Sequence, residues 1–232
     1  MTIIFFVITK TRLGLSAWVV GFIWFFVAQI IAGAAWKSPT RYSWSWNNVS
    51  DLGNARCQMW AEDGHAATYV CSPLHSLMNA TSVLEGCCVV FGMLVTGALW
   101  QPSLRSKLAR TLMGFAGLGL AIAGLAPADL HENIHVVLGA LPIALGGNLG
   151  LLLTGGALRR ECVGPLRHLG PTLGILGLVC TDLFLTHRYL GIGPGGIERL
   201  WAYTFLIWTA VIGGYCWQRP CGSGLGLSTT TR

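Results

Sequence analysis

Two histidines four residues apart, with one acid between them and one before, stand in the run Pro127-Ala128-Asp129-Leu130-His131-Glu132-Asn133-Ile134-His135. On a continuous helix, His131 and His135 share a face, one turn apart. Imidazoles so spaced can bind zinc, and Asp129 could orient a ring or bind directly. Glu132 would then be the general base toward a metal-bound water, as in the His-Glu-x-x-His form. Two other readings stay open. The same histidines titrate near neutral pH and could serve as acid and base without metal. Alternatively the segment only opens a helix: Asp129 caps it, Glu132 suits its positive end, and the rings meet headgroups or water.

A third ligand would come from His75 or His187. His75 begins the stretch His75-Ser76-Leu77-Met78-Asn79, and with Asn79 and Glu85 it would line a polar cavity or simply bond between helices. Ser50-Asp51-Leu52-Gly53-Asn54 is built of turn formers. Asp51 there could activate a water beside Ser50, or the segment is only a turn at headgroup level. Asn48-Val49-Ser50 also matches a glycosylation sequon. Further along, Gly193-Pro194-Gly195-Gly196 is a tight turn before Glu198 and Arg199. Arg188 and Arg199 could hold a phosphate, with Glu198 and Asn79 completing a substrate site, or they anchor helix ends.

What must position these residues is a membrane. The chain has 232 residues, 53% hydrophobic and 10% charged, with a mean hydropathy of +0.60. A soluble domain carries roughly 25% charge. Six apolar stretches have spanning length, about 20 residues each: near 14–36, 75–99, 109–127, 134–157, 168–187 and 197–217. The reading is an all-α, polytopic six-helix bundle forming one membrane domain over residues 1–217, with a short tail at 218–232. No small-residue cleavage site follows the first apolar residues, so no cleaved leader is expected.

The net charge of +6 orients helices rather than binding nucleic acid, since no basic face with interleaved aromatics exists. Lys10, Arg12, Arg105, Lys107, Arg110, Arg159, Arg160, Arg167, Arg219 and Arg232 fall on one side, against only Lys37, Arg41, Arg56, Arg188 and Arg199 on the other. This bias puts both termini in the cytoplasm. The long link 37–74 is then extracytoplasmic, as are most acids and histidines, including Glu62, Asp63 and His65. Of eight cysteines only Cys57 and Cys71 lie in that loop, where disulfides persist. Bridged, they would close about 15 residues, worth about 3 kcal/mol. Glu85 and Asp182 lie within spans, where acids suggest function.

"VSDLGNARC" and "YVCSPLHSLMNATSVLEG", with the glycine-rich turn and Glu198-Arg199 before the last span, resemble the DUF998 family of multispanning membrane proteins. The resemblance extends over most of residues 14–217 and implies six membrane helices with no assigned activity. A more distant likeness is to the Frag1/DRAM/Sfk1 group, which carries an Asp-x-Gly turn after its first span and is associated with lipid organisation. It implies a role for Ser50, Asp51 and Gly53. Ceramidase-like membrane hydrolases offer an analogy through a Ser, an Asp and a His-x-x-x-His pair around zinc.

The resulting expectation is a multi-pass protein of the plasma or inner membrane with membrane lipids as partners. An outward-facing polar pocket binds or processes a lipid or lipid-linked substrate. If it is an enzyme, it is a metal-dependent hydrolase with zinc on His75, His131 and His135. The alternatives are a non-enzymatic lipid-organising protein, and a small transporter using Glu85 and Asp182.

Overall fold

A computed structural model describes residues 2–37, 39, 41–60, 67–219 and 221, with side chains from Ile8 onward. Glu62, Asp63, His65 and most of the predicted tail lie outside the described residues. Apolar runs without internal breakers become helices, because a backbone in hydrocarbon must satisfy its own hydrogen bonds. These are α1 (Thr2–Ala34), α2 (His75–Val95), α3 (Leu104–Leu125), α4 (Ala128–Ala157), α5 (Leu169–Leu185), α6 (Gly193–Ala202) and α7 (Thr204–Gln218). Five helical stretches, the fifth being Arg160–Leu185 with α5 at its end, are each long and apolar enough to span, and α6 with α7, bent by 43°, reaches the same length and apolarity as a pair, for five to six in all. The protein is therefore an integral, multi-pass membrane protein.

Local chemistry sets the boundaries. No glycine or proline precedes Gly14, so α1 starts earlier than predicted and holds Lys10 and Arg12 within it. The Thr96 hydroxyl donates to the Gly92 carbonyl (2.7 Å) at the end of α2, and residues 97–99 leave the α-helix as a single 3-10 turn. Ser103 caps α3, accepting from the Ser106 amide at 3.2 Å. Within α4 the backbone is irregular. It kinks at His131 (φ −142°, ψ 52°) and widens to π-helical turns over His135–Ala140 and Pro142–Gly147. Pro142 removes one backbone donor there.

The helices pack as a ring in chain order, α1 to α2, α2 to α3, α3 to α4, α4 to α5 and α5 to α6 and α7, and α7 closes back on α1. Small residues allow the tight crossings. Gly86 of α2 is one: a Cβ there would lie 2.4 Å from the Gly117 carbonyl of α3. Trp18, Trp100 and Trp208 fill the interior, with Trp208 5.8 Å from Trp18 and 6.1 Å from Trp100. At the α6–α7 bend the Trp201 carbonyl loses its helical partner, and buried Asn148 of α4 donates to it at 3.1 Å. Leu13, Trp24, Leu94 and Phe115 are among many large apolar side chains left exposed on the ring, as a lipid-facing surface requires.

One end of the ring is covered by the described residues of the 37–74 segment. Two three-residue strands, β1 (Gln58–Trp60) and β2 (Thr68–Val70), pair antiparallel with Gln58 opposite Val70. The next pair in that register is Cys57 and Cys71, and they form the expected disulfide. A second disulfide, Cys162–Cys221, lies at the opposite end of the bundle, joining the α4–α5 link to the segment after α7.

Candidate functional site

The Ser50-Asp51-Leu52-Gly53 segment forms one 3-10 turn, and Asp51, Leu52 and Gly53 are buried. It sinks into the mouth of the ring, and three spans hold it. At its approach, Ser72 donates to the Leu52 carbonyl (2.7 Å). From α2, Asn79 Nδ2 donates to the Gly53 carbonyl (2.9 Å). From α4, Asp129 accepts from the amides of Ala55 (3.0 Å) and Arg56 (2.8 Å). From α6, Glu198 accepts from the Val49 amide at 2.5 Å.

Arg199 completes the attachment. Its guanidinium donates to the carbonyls of Trp44 (2.8 Å), Asn47 (2.9 Å) and Gly195 (2.7 Å), and to the Tyr42 hydroxyl. It also stacks 5.1 Å from the Trp44 ring centroid and 5.7 Å from that of Tyr42. Glycine lets the loop come this close: a Cβ on Gly195 would lie 2.0 Å from the Asn47 carbonyl. Gly193, at φ +74°, would put one 2.3 Å from the Ser45 carbonyl. Asp51 lies inside this clamp, accepting from Asn47 Nδ2 (3.1 Å) and the Asn48 amide (3.1 Å). Burial pushes its carboxyl up to about 6, against the hydrogen bonds from Asn47 and Asn48 and the nearby Arg199 charge, which lower it. Burial pushes the Tyr42 phenol up as well.

Under the plug are two cavities. An axial one of about 70 Å³ is walled by the ring and by the loop residues Val49, Ser50 and Gly53. A side cavity of about 340 Å³ lies between α4, α5 and α6. Ser50, His135, Ala140, Glu198 and Trp201 line both, so they form the partition. The side cavity has polar groups toward the loop, Glu132 and His187 among them. Its other wall is carbon: Val136, Leu141, Ala144, Phe184 and Leu185. Val136, Leu141 and Leu185 are also exposed on the outer surface of the bundle, so the cavity borders the lipid.

The predicted metal site does not assemble. The kink at His131 breaks the helical face that His131 and His135 were to share, and His131 is exposed. His135 turns its Nδ1 to the Ala126 carbonyl at 2.8 Å. A carbonyl only accepts, so Nδ1 carries the proton. His75 Nδ1 meets the Ser72 carbonyl at 3.0 Å and lines neither cavity. Among the described residues no three His, Cys, Asp or Glu side chains are grouped to hold a metal, so this donor set does not fit zinc.

The other predicted residues divide. Ser50, Glu132, Glu198 and His135 gather at the cavities, and Asn79 lines the axial one while holding Gly53. Asp51 and Arg199 serve the loop instead. Arg188 is exposed and lines neither cavity. Asn48, the sequon residue, is only 6% exposed, which closes it to a glycan. Glu85 is wholly buried on α2 facing Gly21 of α1, and Asp182 is exposed on α5, so they share no path. Sequence reasoning missed Tyr42 and Asn148. The aromatic cluster around residue 44 was the one available signal for Tyr42.

Fold and site together define a polytopic α-helical membrane protein whose mouth is plugged by a disulfide-closed loop over two small cavities. The chain belongs to the family described as "Protein of unknown function (DUF998)", whose model matches residues 19–215. No curated protein and no solved structure is significantly similar to it. No match extends to the Frag1/DRAM/Sfk1 group or to ceramidase-like hydrolases.

Proposed function

We propose that this protein binds a membrane lipid or lipid-linked molecule in the side cavity, with the plugged mouth outward and both termini cytoplasmic. The observation that supports binding is the gradation of the cavity wall. It runs from Glu132, His135 and Ser50 at the loop to Val136, Leu141 and Leu185 at the lipid surface. An amphiphile has the same gradation, and a cavity of about 340 Å³ is in the range of ligand pockets. The orientation rests on the basic residues gathered at the end away from the plug.

The test is lipid retention. Protein purified from mixed-lipid nanodiscs into detergent is expected to keep about one lipid per chain by native mass spectrometry. Val136→Trp, at an exposed position on the cavity rim, is expected to lose it while melting normally. Equal retention by the variant, or none by the unmodified protein, would refute the reading.

A further inference from the structure

We infer, resting on that lipid-binding reading, that the side cavity selects a lipid with a protonated amine in its head, whose ester or amide carbonyl meets Trp201. The cavity has carboxylates at its polar end, Glu132 and Glu198, and no lysine or arginine lines it among the described residues. The guanidinium of Arg199, next to Glu198, donates to two loop carbonyls, to the Gly195 carbonyl of its own helix and to the Tyr42 hydroxyl. A headgroup whose phosphate has no cation of its own would therefore meet carboxylate with no lysine or arginine on the cavity wall to offset it, an arrangement that like charges oppose. Glu198 is already engaged by the Val49 amide. Glu132 is exposed at the rim and forms the open anionic end. An ammonium group gives it a charge-assisted partner.

Trp201 is the second, independent observation. It is 6% exposed, walls both cavities, and its indole N–H has no acceptor among the described residues. Buried tryptophan N–H groups normally find one, so an orphan on a cavity wall calls for a ligand acceptor. An indole donates and never accepts. Its natural partner below the headgroup is a carbonyl at the start of an acyl chain. The ligand thus has a donor at its tip, an acceptor a few atoms further in, and a hydrocarbon tail leaving past Val136 and Leu185.

The experiment offers full-length protein equimolar phosphatidylethanolamine, phosphatidylcholine and phosphatidylglycerol in nanodiscs. Retained lipid is then identified by native mass spectrometry. Ethanolamine lipid is expected to exceed the others by roughly tenfold, the scale of one charged hydrogen bond. Glu132→Gln should erase that preference while total retention stays. Trp201→Phe should keep the preference but release lipid about tenfold faster. A single-chain primary amine added as competitor should displace the phospholipid if the amine alone is read, and fail if the carbonyl is needed too. Lipid retained without head preference, or with a preference for the anionic lipid, would overturn this inference and leave the pocket standing. No retained lipid at all would end both.

Discussion

Glu198 and Val49 are 149 residues apart in sequence and meet through one hydrogen bond of 2.5 Å, amide to carboxylate. With Arg199 beside it, the first turns of α6 fasten the loop that follows α1 and so join the two ends of the chain over the mouth. Plugging the mouth is thus a task of the last crossing as much as of the loop itself.

Arg199→Lys is expected to free the loop although it keeps the charge. An ammonium cannot reach three carbonyls and stack on Trp44 and Tyr42 together. Losing two charge-assisted bonds costs about 3 kcal/mol. Thermal unfolding in detergent should show the drop, with new protease cleavage in 37–74. Unchanged protection would mean that the clamp is dispensable.

Gly195→Ala tests the close approach. Its Cβ would collide with the Asn47 carbonyl, so loop and helix must part. Cleavage between Trp44 and Asn54 should accelerate in this variant. Gly97→Ala, where nothing lies within 4 Å, is the control expected to resist.

The spans were legible because a bilayer demands about 20 apolar residues in sequence, a local property. The Cys57–Cys71 pairing was legible because both lie in one loop. The plug was not. Nothing near Val49 announces Glu198, since their contact depends on how the ring closes. The histidine pair misled for a related reason. Four-residue spacing means a shared face only on a regular helix, and the kink at His131 is set by packing and the π-helical turns beyond it. Cys162–Cys221 escaped because residues assigned to a reducing side are not expected to pair.

Asp51 should make stability depend on pH. Its folded-state carboxyl titrates at about 6 against 3.8 for a free side chain, so the folded protein holds the proton more tightly. The stabilisation is complete below pH 3.8 and is lost as pH rises through about 6. Two pH units correspond to about 3 kcal/mol. Tyr42, Glu198 and Arg199 are ionisable neighbours, so the readout is a difference. The melting temperature should fall between pH 3.8 and about 6 more in the unmodified protein than in Asp51→Asn. Parallel profiles would refute this.

His131→Ala and His135→Ala should part company. His131 is exposed, and its loss is expected to change stability by less than 0.5 kcal/mol, the usual scale for surface positions. His135 ties α4 to the end of α3 through Ala126, and its loss should cost about 1 kcal/mol. Equal effects, or zinc lost from both variants alike, would restore the shared metal.

The two disulfides sit at opposite ends of a bundle that crosses a membrane. Cells keep thiols reduced on one side of such a barrier and let them pair on the other. One chain therefore samples two electrochemical environments through two staples of the same chemistry. Maleimide tagging in intact cells is expected to find Cys57–Cys71 closed and Cys162–Cys221 open until an oxidant is added. The reverse pattern would turn the protein over in its membrane, so the sulfur chemistry doubles as a compass for its orientation.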